Sequence, residues 1–166
     1  MGAQTKTSNW EKQAMYFRIA RPAIVALAFA SLLGAGSTAV AAQFKFVAHC
    51  KCSGEVPPNS CGGTGTVTAI LDSSNNQLTW SGSYKGLTGN VIGAHFHGPV
   101  SYVGNTSEQN APIQVGTKGN LASPFKGSAT ITATQAQDLR DGRWYFNIHT
   151  PTHPAGEIRG QLVVTN

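Results

Sequence analysis

Charge is scarce in this chain: Asp, Glu, Lys and Arg together make up 11% of its 166 residues, against 40% hydrophobic ones. That balance suits one folded domain with its own core and leaves hardly enough chain for two. Long apolar runs are missing too. The longest, AIVALAFASLLGAG at 23–36, falls short of the ~20 residues that a helix needs to cross a bilayer, which speaks against a retained anchor. No Ser-His-Asp order, no recognisable paired-carboxylate motif and no phosphate-cradling glycine loop is present. Neither hydrolase nor nucleotide chemistry is therefore indicated.

What precedes and follows that apolar run gives it a meaning. Lys6, Lys12, Arg18 and Arg21 come before it, and STAVAA after it places Ala39 and Ala41 in an A-x-A cleavage pattern. Residues 1–42 read as a signal peptide, with Met15 a second candidate start, and 43–166 as the exported domain, secreted or held in the periplasm or cell envelope. Four of the twelve cations and one of the seven anions, Glu11, lie in the leader. The remainder carries eight cations and six anions, a net +2 with no basic cluster. Neither nucleic acid nor an anionic membrane surface is an expected partner, and no membrane span is expected after cleavage.

Cysteine is scarce but concentrated, as HCKCSGEVPPNSC (49–61). In an oxidising compartment Cys61 is expected to bridge to Cys50 or Cys52, worth about 3 kcal/mol in the chain-entropy description, with one thiol left over. The competing reading joins Cys50, Cys52 and Cys61, the first two on one face of an extended strand, as a soft site for Cu(I) or Zn.

Gly and Pro, at nineteen and eight, punctuate short alternating segments instead of helical periodicity. FKFVA (44–48), TVTAIL (66–71) and QLTWSGSY (77–84) alternate by two, and DSSNN (72–76) makes the last pair a hairpin. Further strands are expected at 90–97, 112–116, 125–132, 143–149 and 157–164. The fold class is all-β, a Greek-key β-sandwich or barrel of about eight short strands. One helical turn is expected at TQAQDLRDG (134–142), with Thr134 and Gln137 at capping-box spacing and Gly142 as the stop. Asn105-Thr106-Ser107 matches a glycosylation acceptor.

Strand period then sorts the histidines. In WYFNIH (144–149), Trp144, Phe146 and Ile148 form the apolar face, leaving Tyr145, Asn147 and His149 outside. In VIGAHFH (91–97), Ile92, Ala94 and Phe96 likewise leave His95 and His97 outside. Side chains two apart on a strand stand roughly 6 to 7 Å apart, close enough for two imidazoles to share one ion. If the two strands are neighbours, His149 completes a three-nitrogen site for copper or zinc with an open position. His153, in the loop TPTHPAG (150–156), is a candidate fourth ligand. The competing reading has the histidines bonded to loop carbonyls, to Glu157 or to Asn147, bracing the fold without metal. In GEIRGQLVV (156–164), Ile158, Gly160, Leu162 and Val164 should face inward, with Glu157, Arg159 and Gln161 outward. Glu157 and Arg159 are then an exposed ion pair or, together with Asn147, polar partners that orient a ligand imidazole.

EVPP (55–58), TGTVTAIL, GLTGNVIGAHFHGP (86–99) and above all WYFNIHTPTHPAGEIRGQL (144–162) resemble the chordin-domain, or CHRD, family from about residue 44 to 164. The resemblance implies an exported β-sandwich more firmly than an activity. More distantly, the order and facing of His95, His97 and His149 are similar to the copper ligands of copper/zinc superoxide dismutases. No histidine lies between His97 and Trp144, however, so the bridging ligand and zinc loop of that family are missing. The leading expectation is a non-catalytic exported protein that binds one copper or zinc ion for metal handling or redox protection. The alternatives are an adhesive module whose partners are extracellular or envelope protein or polysaccharide, and a copper-dependent, dismutase-like oxidoreductase.

Overall fold

A computed structural model describes residues 42–101 and 109–165. The expected signal peptide and glycosylation acceptor lie outside the described residues. The described chain runs β1 (Gln43–Lys51), a 3-10 turn (Cys52–Gly54), β2 (Thr64–Asp72), β3 (Gln77–Lys85), β4 (Gly93–His97), β5 (Ile113–Gly116), β6 (Phe125–Thr130), α1 (Ala133–Arg140), β7 (Tyr145–His149), β8 (Ile158–Gln161) and β9 (Val163–Thr165). The fold is all-β, as the alternation requires.

The strands form one sheet in the order β5-β4-β7-β8-β1-β2-β3-β6, with β9 paired to β1. All the pairings are antiparallel. The non-consecutive neighbours β4·β7 and β3·β6 require crossovers of the Greek-key kind. The sheet curls until its far parts meet. Trp80 of β3 packs edge-on against Phe96 of β4 at 5.1 Å, and Phe125 of the edge strand β6 stacks on Phe146 of β7 at 5.9 Å. A nearly closed barrel results, filled from every side by period-two residues: Phe46 and Ala48, Val67 and Leu71, Leu78, Phe96, Phe146, Ile148 and Ile158.

Several expectations need correction. The segment 157–164 is two strands, because Leu162 turns its N–H to the Trp144 carbonyl while β9 moves on to β1. Val164 is consequently exposed rather than inward. The helix cap lies two residues before the expected one. Thr132 accepts from the Gln135 N–H and Gln135 answers to the Thr132 N–H, so the capping box is 132/135 and not 134/137. Cys52 leaves β1 for the 3-10 turn and pairs with Cys61, Cα to Cα 5.7 Å, while Cys50 stays buried in the core as a free thiol. A three-sulfur site is thereby ruled out. The expected outward face of β7 and β8 is also mostly covered: Tyr145, Asn147, Glu157 and Arg159 are all buried.

Candidate metal centre

The β4·β7 register creates the cluster. His97 lies opposite Tyr145, His95 opposite Asn147, and Gly93 opposite His149. Two strands thus bring three imidazoles around one asparagine. Gly93 matters for space: a Cβ there would stand 3.0 Å from the His95 ring and 3.6 Å from that of His149. Potential ligand atoms of His95, His97 and His149 all lie within 4.8 Å of one another, the one such group of three or more among the described residues. His95 Nδ1 and His149 Nε2 are 3.0 Å apart.

Loop carbonyls fix which ring nitrogens face inward. His97 Nδ1 lies 2.7 Å from the Ala111 carbonyl and His149 Nδ1 lies 3.0 Å from that of Pro154. A carbonyl only accepts, so both Nδ1 atoms carry the proton and both Nε2 atoms keep a lone pair. The Nε2 of His97 is buried with no hydrogen-bond partner. Burial holds all three rings below the usual imidazole range. His95 falls to about 4, through burial first and the neighbouring His149 and His97 second. His97 and His149 are lowered chiefly by burial, against the raising effect of their carbonyl partners. The cluster is uncharged at neutral pH, the form in which imidazole binds metals. Lone pairs converging in a half-buried, uncharged pocket suit a borderline cation.

Around the cluster sits a shell of long-range contacts. Tyr145 stacks flat against His97 at 4.9 Å and accepts the Ala111 N–H at its hydroxyl, so one side chain supports both the ring and the loop that orients it. On its ring lies the Arg159 guanidinium at 3.4 Å, which also donates to Asn110 and to the Gln109 carbonyl. Asn147 Oδ1 is 3.0 Å from His149 Nε2. Glu55, 5% exposed, lies near enough for the Asn147 side chain to lower its pKa. Burial pushes its carboxyl up to about 7, although Arg159 pulls the other way. Gly156, at φ +139°, gives Glu55 its room, since a Cβ there would collide with the carboxylate.

Of the residues singled out in the sequence, His95, His97 and His149 are gathered at one point and Asn147 and Arg159 border it. His153 is not in the group; its backbone pairs with Thr150 instead. Glu157 does not form an exposed pair with Arg159. It is fully buried, and its carboxylate accepts from the Thr88 N–H and hydroxyl and from the Thr150 hydroxyl, which hold it below the usual carboxylate range. Glu55, Tyr145 and Gly93 were not legible as site residues. In the sequence Glu55 is only the first letter of EVPP.

Comparison with known proteins adds the family. No curated protein and no solved structure matches the chain. The family model of the CHRD domain matches residues 46–162, from β1 through the end of β8, including every residue of the histidine cluster and its shell. The chain belongs to the CHRD-domain family.

Proposed function

We propose that this protein is an exported, non-catalytic CHRD-domain protein that holds one copper or zinc ion through His95, His97 and His149, in metal handling or redox protection at the cell envelope. The observation that carries the reading is the convergence of His95, His97 and His149, whose potential ligand atoms lie within 4.8 Å of one another, with His97 Nε2 buried and without a hydrogen-bond partner in the geometry. A buried acceptor without a partner costs about 1 to 3 kcal/mol, and a bound cation removes that cost. The Cys52–Cys61 disulfide supports an oxidising compartment. The net +2 charge of residues 43–166 offers no strong field to draw in an anionic substrate, which favours holding a metal over turning over superoxide.

The test is Cu(II) loading of the wild type, His97→Ala and His149→Ala, followed by electron paramagnetic resonance. One ion per chain with nitrogen hyperfine structure is expected for the wild type, lost or altered in each variant. Spectra identical across the three proteins, or no stoichiometric uptake, remove the site.

A further inference from the structure

We propose that Asn147 supplies a fourth donor, its side-chain oxygen, making the centre a three-nitrogen, one-oxygen site selective for a divalent ion over Cu(I). This rests on the metal reading above and goes beyond its three histidines. Position comes first. Asn147 is the direct cross-strand partner of His95, and its strand neighbours Tyr145 and His149 face His97 and Gly93. It therefore stands at the middle of the histidine triangle.

Hydrogen-bond chemistry comes second. His149 Nδ1 gives its proton to the Pro154 carbonyl, so the neutral ring presents a lone pair at Nε2. Facing that lone pair at 3.0 Å is another acceptor, Asn147 Oδ1. Two acceptors at this distance have no proton between them. Two donors bound to one ion at about 2.0 to 2.1 Å stand about 3 Å apart, so the gap is one that a shared cation fits. The gap between His95 Nδ1 and His149 Nε2 is the same 3.0 Å.

Orientation comes third. The Asn147 side chain acts on Glu55 in the direction that lowers its pKa, as an amide NH2 turned to a carboxyl does, which leaves the amide oxygen for the histidines. Asn147 is 3% exposed and Glu55 5%, which leaves little freedom to reorient. Glu55 is thus a positioning residue. An amide oxygen is a hard, neutral donor: Cu(II) and Zn(II) accept it alongside imidazole, whereas soft Cu(I) gains little from it.

Full-length protein is stripped with a chelator, and affinities for Cu(II), Zn(II) and, under reducing conditions, Cu(I) are measured for the wild type, Asn147→Ala and Asn147→Asp. Asn147→Ala should lose about tenfold or more in Cu(II) and Zn(II) affinity and shift the Cu(II) spectrum, while Cu(I) affinity stays within about threefold. Asn147→Asp keeps an oxygen and adds charge, so it should bind Cu(II) at least as tightly with a lowered g-parallel value. Unchanged Cu(II) affinity and spectrum in Asn147→Ala, with His97→Ala still impaired, would overturn the fourth donor and leave the three-histidine reading standing. Should the alanine variant fail to fold, an Asn147→Asp spectrum identical to wild type overturns it equally. A wild type that takes up no ion at all brings down the metal reading itself.

Discussion

Glu55 is the residue at which the site and the stability of the fold are most closely joined. Its carboxyl rises from an ordinary 4.5 to about 7 because burial penalises the charge more than Arg159 and Asn147 relieve it. A folded state that binds a proton more tightly than the unfolded chain gains stability while both are protonated and loses it as pH rises through the gap, here from about 4.5 to about 7. The three histidines act with the opposite sign. Their lowered values make the folded state less stable as pH falls below the ordinary 6.5. The comparison with Glu55→Gln isolates the carboxyl: the stability of the wild type relative to the variant should fall between pH 4.5 and 7 and level off above, measured by urea denaturation across that range. A flat difference would mean that Glu55 stays ionised throughout. This residue was hidden in the sequence for a physical reason. Asn147, Gly156 and Arg159, which give it its chemistry, lie some hundred positions away, and no local pattern announces a carboxyl that folding buries.

Elements were far easier to read than residues. Period-two alternation in β1, β2 and β3 shows directly which side chains fill the barrel, and the hairpin register from Asp72↔Gln77 onward follows from the DSSNN turn, where Asn76 takes the left-handed φ of 55°. The same alternation places His95, His97 and His149 on one side of β4 and β7. It does not tell whether that side meets water. Loop residues Gln109 to Ala111 and the Arg159 side chain cover it, and long-range coverage leaves no period in a strand. Boundaries slipped where a local signal occurs twice. Thr132 and Thr134 each have a glutamine three residues on, and Thr132 is the one whose backbone is extended, at φ −73° and ψ 161°, ahead of the turn that Ala136 and Leu139 anchor into the core. Thr132→Ala should therefore cost about 1 kcal/mol, while Thr134→Ala, exposed within the first turn, stays within about 0.5 kcal/mol. Thermal or urea unfolding of the two variants checks this, and equal losses would mean that the box contributes nothing.

At the scale of the whole molecule, the histidine cluster lies across the β4·β7 pair, which ties the β5-β4 edge to the rest of the sheet. β4 and β5 reach the rest of the sheet only through β7, and β7 in turn through β8. An ion held by His95 and His97 on one side and His149 on the other is a cross-link over that junction. Ligand binding to the folded state alone stabilises it by RT ln(1 + [L]/Kd), about 2.7 kcal/mol at a hundredfold excess over Kd. For a domain of this size that is a rise of roughly 10 °C in Tm. Calorimetry of the metal-free protein, then with Cu(II) or Zn(II), then with a chelator added back, should show this rise and its reversal. In His97→Ala the rise should shrink to a small remainder, because one of the three nitrogens is gone. The disulfide sets the background against which the shift is read: Cys52–Cys61 ties the end of β1 to the start of β2 whatever the metal state, so its contribution is common to both scans. A rise of equal size in wild type and His97→Ala would place the ion elsewhere on the surface, and the converging imidazoles would then be a brace between strands and nothing more.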